Sequence, residues 1–248
     1  MQPWQQSDDV AQLHLSRFRA EIAPRHPSHG LQHVVVDGTS LTGFHPLGLE
    51  LAEAATEPSE NYLRAGDLIV AYADQPATAM RAEAYWRAGT HAHRSAIAAI
   101  ELVPSVQTNL LDSSPLLATR TDLVACEALQ LTDPASASFT DLVPGSDEAQ
   151  GEDASPGVHC YLFRLAGGKY SYAEMVYPRD THRSRLQSTP QGDEYTIRLR
   201  HELFSQRLEK GVILRARVLG VLLDRQDDMA ATVQHWNAFL AEALPLTA

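Results

Sequence analysis

From Val158 to Tyr177 the chain reads VHCYLFRLAGGKYSYAEMVY, and this segment is the most informative about the architecture. Two runs typical of β-strands, Val158–Leu165 and Lys169–Tyr177, flank the segment Ala166-Gly167-Gly168. A Gly-Gly pair in this position supplies the positive φ angles that a two-residue hairpin turn requires. The stretch therefore predicts an antiparallel β-hairpin that turns at the two glycines.

The position of the turn also predicts which side chains share a face of the hairpin. With the two glycines as the turn, Tyr161 faces Glu174 and Phe163 faces Tyr172 across the strands. One face then carries four rings, a carboxylate and an imidazole, which belong to Tyr161, Phe163, Tyr170, Tyr172, Glu174 and His159. The other face is apolar and is expected to be core; it consists of Cys160, Leu162, Ala173 and Met175.

Downstream of the hairpin the pattern continues as an antiparallel meander. Residues Tyr195–Leu203 alternate between an apolar and a polar face, which is typical of a half-buried strand, and the run Val212–Leu223 follows it. The segment Asp227–Leu244 then places four large side chains on one helical stripe. These are Met229, Val233, Trp236 and Leu240. We expect a C-terminal α-helix that packs on the sheet through Trp236.

The first half of the chain is also rich in strand patterns. The candidate strands are Leu31–Val36, Leu47–Ala54, Asp67–Ala73, Ala79–Ala88, His91–Val103, Val106–Leu111 and Asp122–Leu131. The segment Asp8–Ile22 fits a short amphipathic helix and an edge strand equally well. Together the patterns predict a mainly β protein. We expect a large antiparallel β-sandwich, of which a supersandwich is one form, with the C-terminal α-helix packed on one sheet.

Residues 133–157 differ from the rest of the chain, because they are acidic, rich in Pro and Gly, and contain no basic residue. Such a composition cannot bury enough apolar surface to offset the entropy of ordering. We therefore predict a mobile loop or linker here. Since neither half of the chain looks complete, we expect residues 1–248 to form a single β-rich domain that contains this segment.

The composition narrows the classes of function. The net charge of −11 argues against a nucleic acid or an anionic membrane as partner, and no apolar run approaches the ~18 residues that span a bilayer. The first residues, MQPWQQSDD, lack the features of a signal peptide, so a cytoplasmic protein with reduced cysteines is expected. No GxSxG motif, HExxH motif or phosphate-binding Gly-rich loop is present, and we expect no cofactor.

The aromatic face of the hairpin is the first candidate site. The rings of Tyr161, Tyr170 and Tyr172 beside Glu174 and His159 suit a sugar or another small polar ligand. We therefore expect a non-catalytic protein that binds a carbohydrate-like ligand or a protein partner. On this hypothesis Glu174→Ala removes binding and leaves folding intact. The alternative is that both faces are buried between sheets, because aromatic cross-strand pairs stabilise sheets without any ligand.

Two other functions remain open. In a sugar-modifying enzyme, His159 and Glu174 would serve as general acid and base. At the level of fold this resembles aldose-epimerase-like supersandwich proteins, which place a His and a carboxylate on a sheet face, although no motif of that family can be matched residue by residue. In an assembly component, the acidic segment 133–157 would contact a basic partner protein.

Two further groups of residues are candidates for binding. Arg81, Glu83 and Arg87 alternate on one strand face, where the two guanidinium groups suit a carboxylate or phosphate; the alternative is a solvated face with cross-strand ion pairs. His91 and His93 have the spacing of metal ligands in cupins, but the positions of the expected acid hold Ile97 and Ala98. We therefore predict no metal site.

Overall fold

The computed structural model describes residues 2–7, 9–51, 57–73, 80–89, 95–114, 117–142, 149–150, 157–204 and 206–242. The described strands form two antiparallel sheets. The smaller sheet comes from the N-terminus and has five strands in sequential order: β1 Trp4–Gln6, β2 Ala11–His14, β3 Phe18–Ile22, β4 Gln32–Val36 and β5 Thr39–Ser40. The segment Asp8–Ile22, whose pattern fits both a helix and an edge strand, therefore contains the strands β2 and β3.

The larger sheet has fourteen strands. They are β6 His45–Glu50, β7 Pro58–Arg64, β8 Asp67–Tyr72, β9 Met80–Ala88, β10 Ala96–Thr108, β11 Leu117–Asp133, β12 Ser138–Asp141, β13 Ala149–Gln150, β14 Cys160–Leu165, β15 Tyr170–Val176, β16 Thr181–Gln191, β17 Glu194–Leu203, β18 Ile213–Arg215 and β19 Val218–Asp224. The main path of neighbours is β13-β16-β17-β11-β14-β15-β19-β10-β9-β8-β7. With its C-terminal α-helix, α1 Asp228–Ala241, the protein is the mainly β, sandwich-like fold that the sequence predicts.

The hairpin formed by β14 and β15 has the predicted register. Tyr161 pairs with Glu174 and Phe163 pairs with Tyr172. Both turn glycines have positive φ angles, 83° at Gly167 and 69° at Gly168. The two residues that decide the turn therefore also fix which side chains face each other.

Strand β11 connects different parts of the larger sheet. Its first half pairs with β17 and β6, and its second half pairs with β14 and β12. In strand order β17 and β15 are separated by β11 and β14, yet His201 of β17 lies within hydrogen-bonding distance of Glu174 of β15. The larger sheet therefore curves back on itself around β11.

The core has two main parts. The larger cluster combines apolar side chains of both sheets, among them Trp4 and Phe18 of the smaller sheet and Trp86 of the larger one. The second cluster lies between the larger sheet and α1. It contains the apolar face of the hairpin, as expected, including Leu162 and Met175.

Helix α1 packs on the sheet through Trp236, as predicted, because this side chain is only 2% exposed and belongs to the second cluster. One part of the predicted stripe is wrong: Leu240 is 36% exposed, and Phe239 is buried in its place. The buried residues of α1 define a face that is rotated from the predicted one; they are Asp228, Ala231, Thr232, His235, Trp236 and Phe239. None of the helices among the described residues is long and apolar enough to cross a membrane.

The acidic segment is only partly described. Residues 138–141 form β12, which pairs with the end of β11, so this part is strand rather than a linker. Residues 149–150 form β13 beside β16. Residues 143–148 and 151–156 lie outside the described residues.

Candidate functional site

The aromatic face of the hairpin points into the larger core cluster. Tyr161 and Tyr172 are each 2% exposed, and Glu174 is completely buried. The hairpin lies between β11 and β19 in the sheet, and Phe44 covers its aromatic face with an edge-on contact to the Tyr172 ring at 5.0 Å between centroids. The expectation of a ligand-binding surface on this face is therefore wrong, and the alternative that both faces of the hairpin are buried describes the structure.

The carboxylate of Glu174 is bonded at both oxygens. The hydroxyls of Thr121 and Tyr172 each donate to Oε2 at 2.6 Å, and Nε2 of His201 lies 3.1 Å from Oε1. All four side chains are buried. Buried polar groups are tolerated when each has a hydrogen-bond partner, so this cluster is a satisfied network inside the core.

The network continues beyond His201. The Nδ1 atom of His201 lies 2.7 Å from the hydroxyl oxygen of the buried Ser184, and Ser184 also bonds the hydroxyl of Tyr161. Burial raises the pKa of Tyr161 to about 12. Ser184, His201 and Glu174 thus form a row of hydroxyl, imidazole and carboxylate, the types of group that activate a nucleophile, but all three are enclosed.

Sequence reasoning missed three members of this network, Thr121, Ser184 and His201. They come from β11, β16 and β17, which the hairpin pattern does not specify. One signal was present for His201, because the alternation of Tyr195–Leu203 places this histidine on the apolar face of its strand. A histidine on an apolar face requires a buried partner, and here that partner is Glu174.

His159 does not join Glu174 in the predicted acid–base pair. The described hydrogen-bond partners of the Glu174 carboxylate are Thr121, Tyr172 and His201. His159 is half-buried just before β14, and burial, with a smaller effect of nearby His201, lowers its pKa to about 4. His159 therefore stays neutral at physiological pH.

Tyr170 is the member of the aromatic face that reaches a surface cleft. This cleft, of about 400 Å³, lies beside the hairpin turn. Its apolar lining is formed by Leu41, Phe44, Val124, Leu165, Ala166 and Tyr170. Its polar lining comes from Thr39, Ser40, Thr42 and Lys169. A volume of this size lies within the ~300–1,000 Å³ that small-molecule sites occupy.

Tyr170 and Lys169, which line the cleft, contact a network of charged residues. The Tyr170 hydroxyl donates to Asp37 Oδ2 at 2.9 Å, and Arg17 joins Asp37 to Asp224 through two pairs of hydrogen bonds. The ammonium group of Lys169 lies 4.9 Å from the centroid of the Tyr170 ring. Hydrogen bonds from Arg17 and, with a smaller effect, from Tyr170 hold the pKa of Asp37 well below its usual range. The orientation of the Tyr170 ring is thereby fixed.

The structure separates the three candidate residues of β9. Arg81 and Glu83 line a second groove, of about 220 Å³, together with Arg215 of β18. Arg87 instead bonds Asp67 and the buried Glu101, each at 3.3 Å. Arg81, Glu83 and Arg87 therefore do not form one site. For Arg87, the structure shows the alternative, a side chain in cross-strand ion pairs.

The two histidines with metal-ligand spacing, His91 and His93, lie outside the described residues. Within the described part of the chain, no group of three or more His, Cys, Asp and Glu side chains is arranged to hold a metal ion.

Comparison with known proteins places the fold. The chain matches no family model and no curated protein. Among solved structures, it is similar over 93% of its length to 39% of an α-N-acetylgalactosaminidase, NagBb, from Bifidobacterium bifidum, with a TM-score of 0.60 and 12% identity. The likeness shows the fold alone.

Two other solved structures have the same relation to the chain. A TPR-domain-containing protein from Parabacteroides distasonis is matched over 96% of the present chain and 49% of its own, with a TM-score of 0.56 and 8% identity. The match to the GH36 α-galactosidase AgaB from Geobacillus stearothermophilus covers 89% of the present chain and 41% of the galactosidase, with a TM-score of 0.50 and 8% identity. The chain thus spans half or less of the length of each of these proteins.

Proposed function

We propose that this protein is a non-catalytic β-sandwich that binds a small carbohydrate-like ligand in the cleft beside the hairpin turn. The observation that carries the proposal is the cleft itself, which combines Tyr170 and other apolar side chains with the three hydroxyl groups of Thr39, Ser40 and Thr42. Apolar surfaces suit the C–H faces of a sugar ring, and hydroxyl groups bond its hydroxyls.

The surroundings of Tyr170 support this use of the cleft. Its hydroxyl is bonded to Asp37, which Arg17 holds in turn, so the ring needs no rearrangement when a ligand arrives. Binding to a preorganised surface avoids part of the entropy cost of ordering side chains. Two of the proteins that share the fold are named as glycosidases, which is a further reason to test sugars first.

We do not extend the proposal to acid–base catalysis by His159 and Glu174. The Glu174 carboxylate is enclosed, and both of its oxygens are bonded to protein groups. A general acid or base has to come within hydrogen-bonding reach of its substrate. Among the described residues, the polar side chains that line the cleft carry hydroxyl groups and one ammonium group, and none of them is a carboxylate or an imidazole.

The proposal is tested by measuring sugar binding with saturation-transfer NMR and calorimetry. The probes are N-acetylgalactosamine, galactose and glucose. We expect at least one of them to bind, and we expect Thr42→Trp, which fills the cleft from an exposed position, to weaken this binding at least tenfold. Thr196→Trp is the matched control, because Thr196 is exposed on β17 and does not line the cleft. Failure of all three sugars to bind, or equal binding by the Thr42→Trp variant, would refute the proposal.

A further inference from the structure

The second groove lies on three adjacent strands, β9, β10 and β18. The register places its side chains in two rows across the sheet, and these rows are Arg81-Gln107-Ile213 and Glu83-Ser105-Arg215. Neighbouring strands are about 4.8 Å apart and alternate residues about 6.7 Å apart, so the six side chains share one face over about 10 Å by 7 Å. They line a groove of about 220 Å³.

The charges in this groove are arranged in a definite pattern. Two guanidinium groups, from Arg81 and Arg215, stand at opposite corners, and the carboxylate of Glu83 stands at a third. Guanidinium groups bind carboxylates through paired hydrogen bonds. Among the described residues that line the groove, two guanidinium groups accompany a single carboxylate, on a chain whose net charge is −11.

Glu83 limits which anions suit the groove. Its carboxylate repels a compact dianion such as phosphate, but it attracts an ammonium group placed next to a carboxylate. Ile213 adds apolar lining, whereas the Val106 side chain points to the opposite face and is buried in the core. The volume of the groove lies below the ~300 Å³ at which sites for drug-sized ligands begin. The ligand that satisfies all of these features is small, zwitterionic and partly aliphatic.

We propose that this groove binds a free α-amino acid with a short aliphatic side chain. The carboxylate of the amino acid lies between Arg81 and Arg215, its ammonium group bonds Glu83, and its side chain contacts Ile213. The site is separate from the cleft at the hairpin turn, because the two share no lining residue.

The test compares L-valine with three probes that carry part of its chemistry: isobutyrate, isobutylamine and inorganic phosphate. Binding is measured by calorimetry and by NMR chemical-shift changes on the full chain. We expect L-valine to bind at least tenfold more tightly than each of the other probes. Equal or tighter binding of isobutyrate or phosphate would overturn the assignment of a zwitterion, and absence of L-valine binding would overturn the site.

Two variants locate the binding. Arg215→Gln and Glu83→Gln are each expected to weaken L-valine binding at least tenfold, and both side chains are accessible enough for the fold to tolerate the change. Arg207→Gln is the matched control, since Arg207 is exposed and pairs with Asp112 away from the groove. Thr42→Trp, which fills the other cleft, should also leave L-valine binding unchanged. Unaltered binding by Arg215→Gln would show that the amino acid binds elsewhere.

Discussion

Glu174 shows how a carboxylate can be part of an apolar core. Its two oxygens are bonded by three side chains. Tyr172 belongs to the same strand, and Thr121 and His201 come from β11 and β17. In an interior of low dielectric such bonds are stronger than in water, and a group left without its partner is correspondingly unfavourable. Residues that look like a binding site in the sequence can therefore serve to specify one packing arrangement of the core.

The first prediction concerns Glu174. Glu174→Ala leaves Thr121, Tyr172 and His201 without their buried partner, and breaking such an interaction costs about 3–5 kcal/mol. We expect a loss of this order in the free energy of unfolding, measured with urea. Glu60→Ala, at an exposed position of β7, is the control and should change the stability by less than about 0.5 kcal/mol. A Glu174→Ala variant as stable as the wild type would contradict the role of the network.

The second prediction concerns His159, whose pKa burial lowers to about 4 in the folded protein from 6.5. Between these values the unfolded chain binds the proton more readily than the folded chain does. The stability that the neutral ring contributes is therefore complete above about pH 6.5 and is lost as the pH falls through 4. We expect the ring protons of His159 to titrate in NMR spectra with a midpoint near pH 4, and His159→Gln to reduce the acid sensitivity of unfolding. A midpoint near 6.5 would contradict the burial of this ring.

At the level of single elements, α1 is attached to the sheet at both ends. Near its start, the buried Asp228 accepts hydrogen bonds from Ser171 at 2.7 Å and from Arg164 at 3.1 Å. Near its end, the buried Arg217 donates to the backbone carbonyls of Phe239 and Glu242, and its guanidinium group lies 4.5 Å from the centroid of the Phe239 ring. A cation at the C-terminal carbonyls also complements the helix dipole.

The third prediction tests which face of α1 is packed. Trp236→Ala opens a cavity beneath the helix and should lower the free energy of unfolding by about 3–5 kcal/mol. Leu240→Ala, on the stripe that the sequence pattern proposed but at an exposed position, should change it by less than about 0.5 kcal/mol. Both values come from urea denaturation followed by circular dichroism. Similar losses in the two variants would mean that the helix is rotated toward the predicted stripe.

The elements could be predicted from the sequence where the information is local. The Gly167-Gly168 turn fixes the hairpin register, and the spacing around Trp236 indicates the helix. The open or buried state of the aromatic face could not be predicted, because Phe44, which covers it, precedes the hairpin by more than a hundred residues. The cleft beside Tyr170 was missed for the same reason, since its hydroxyl groups come from the region of β5.

Pro104 illustrates another limit of local patterns. A proline ordinarily interrupts a strand, because it lacks the N–H group, yet β10 continues through it. Its carbonyl accepts a hydrogen bond from the backbone of Ala216, so its missing N–H faces the gap between β18 and β19. The break in strand pairing therefore lies between β18 and β19 and not in β10. The sequence of β10 alone does not indicate the position of this break.

At the level of the whole molecule, the two sheets share one core cluster. Trp4 of the smaller sheet and Trp86 of the larger one belong to it, and Trp236 lies in the cluster under α1. The smaller sheet could not be recognised as a separate sheet from the sequence, because pairing between strands depends on contacts that the alternation pattern does not encode. Shared packing of this kind is the basis for proposing that the chain is a single domain.

The fourth prediction follows from this shared packing. Three variants each keep one tryptophan, and the other two tryptophans are replaced by Phe. In each variant, we expect the unfolding transition followed by tryptophan fluorescence to have the same midpoint urea concentration as the transition followed by far-ultraviolet circular dichroism. Coincident transitions are the mark of two-state unfolding. If the variant that keeps only Trp4 unfolds in an earlier, separate step, the smaller sheet is an independent unit and the proposal of a single domain fails.

The pairing of β11 affects how the protein is made. Thr119 pairs with Leu49 on one edge and with His201 on the other. The two partner strands of β11 are therefore synthesised long before it and long after it. Contacts between residues so far apart in the chain make folding slow. When β11 has just been translated, its edge toward β17 has no partner strand, and we expect the nascent chain to be prone to association until β17 has been synthesised.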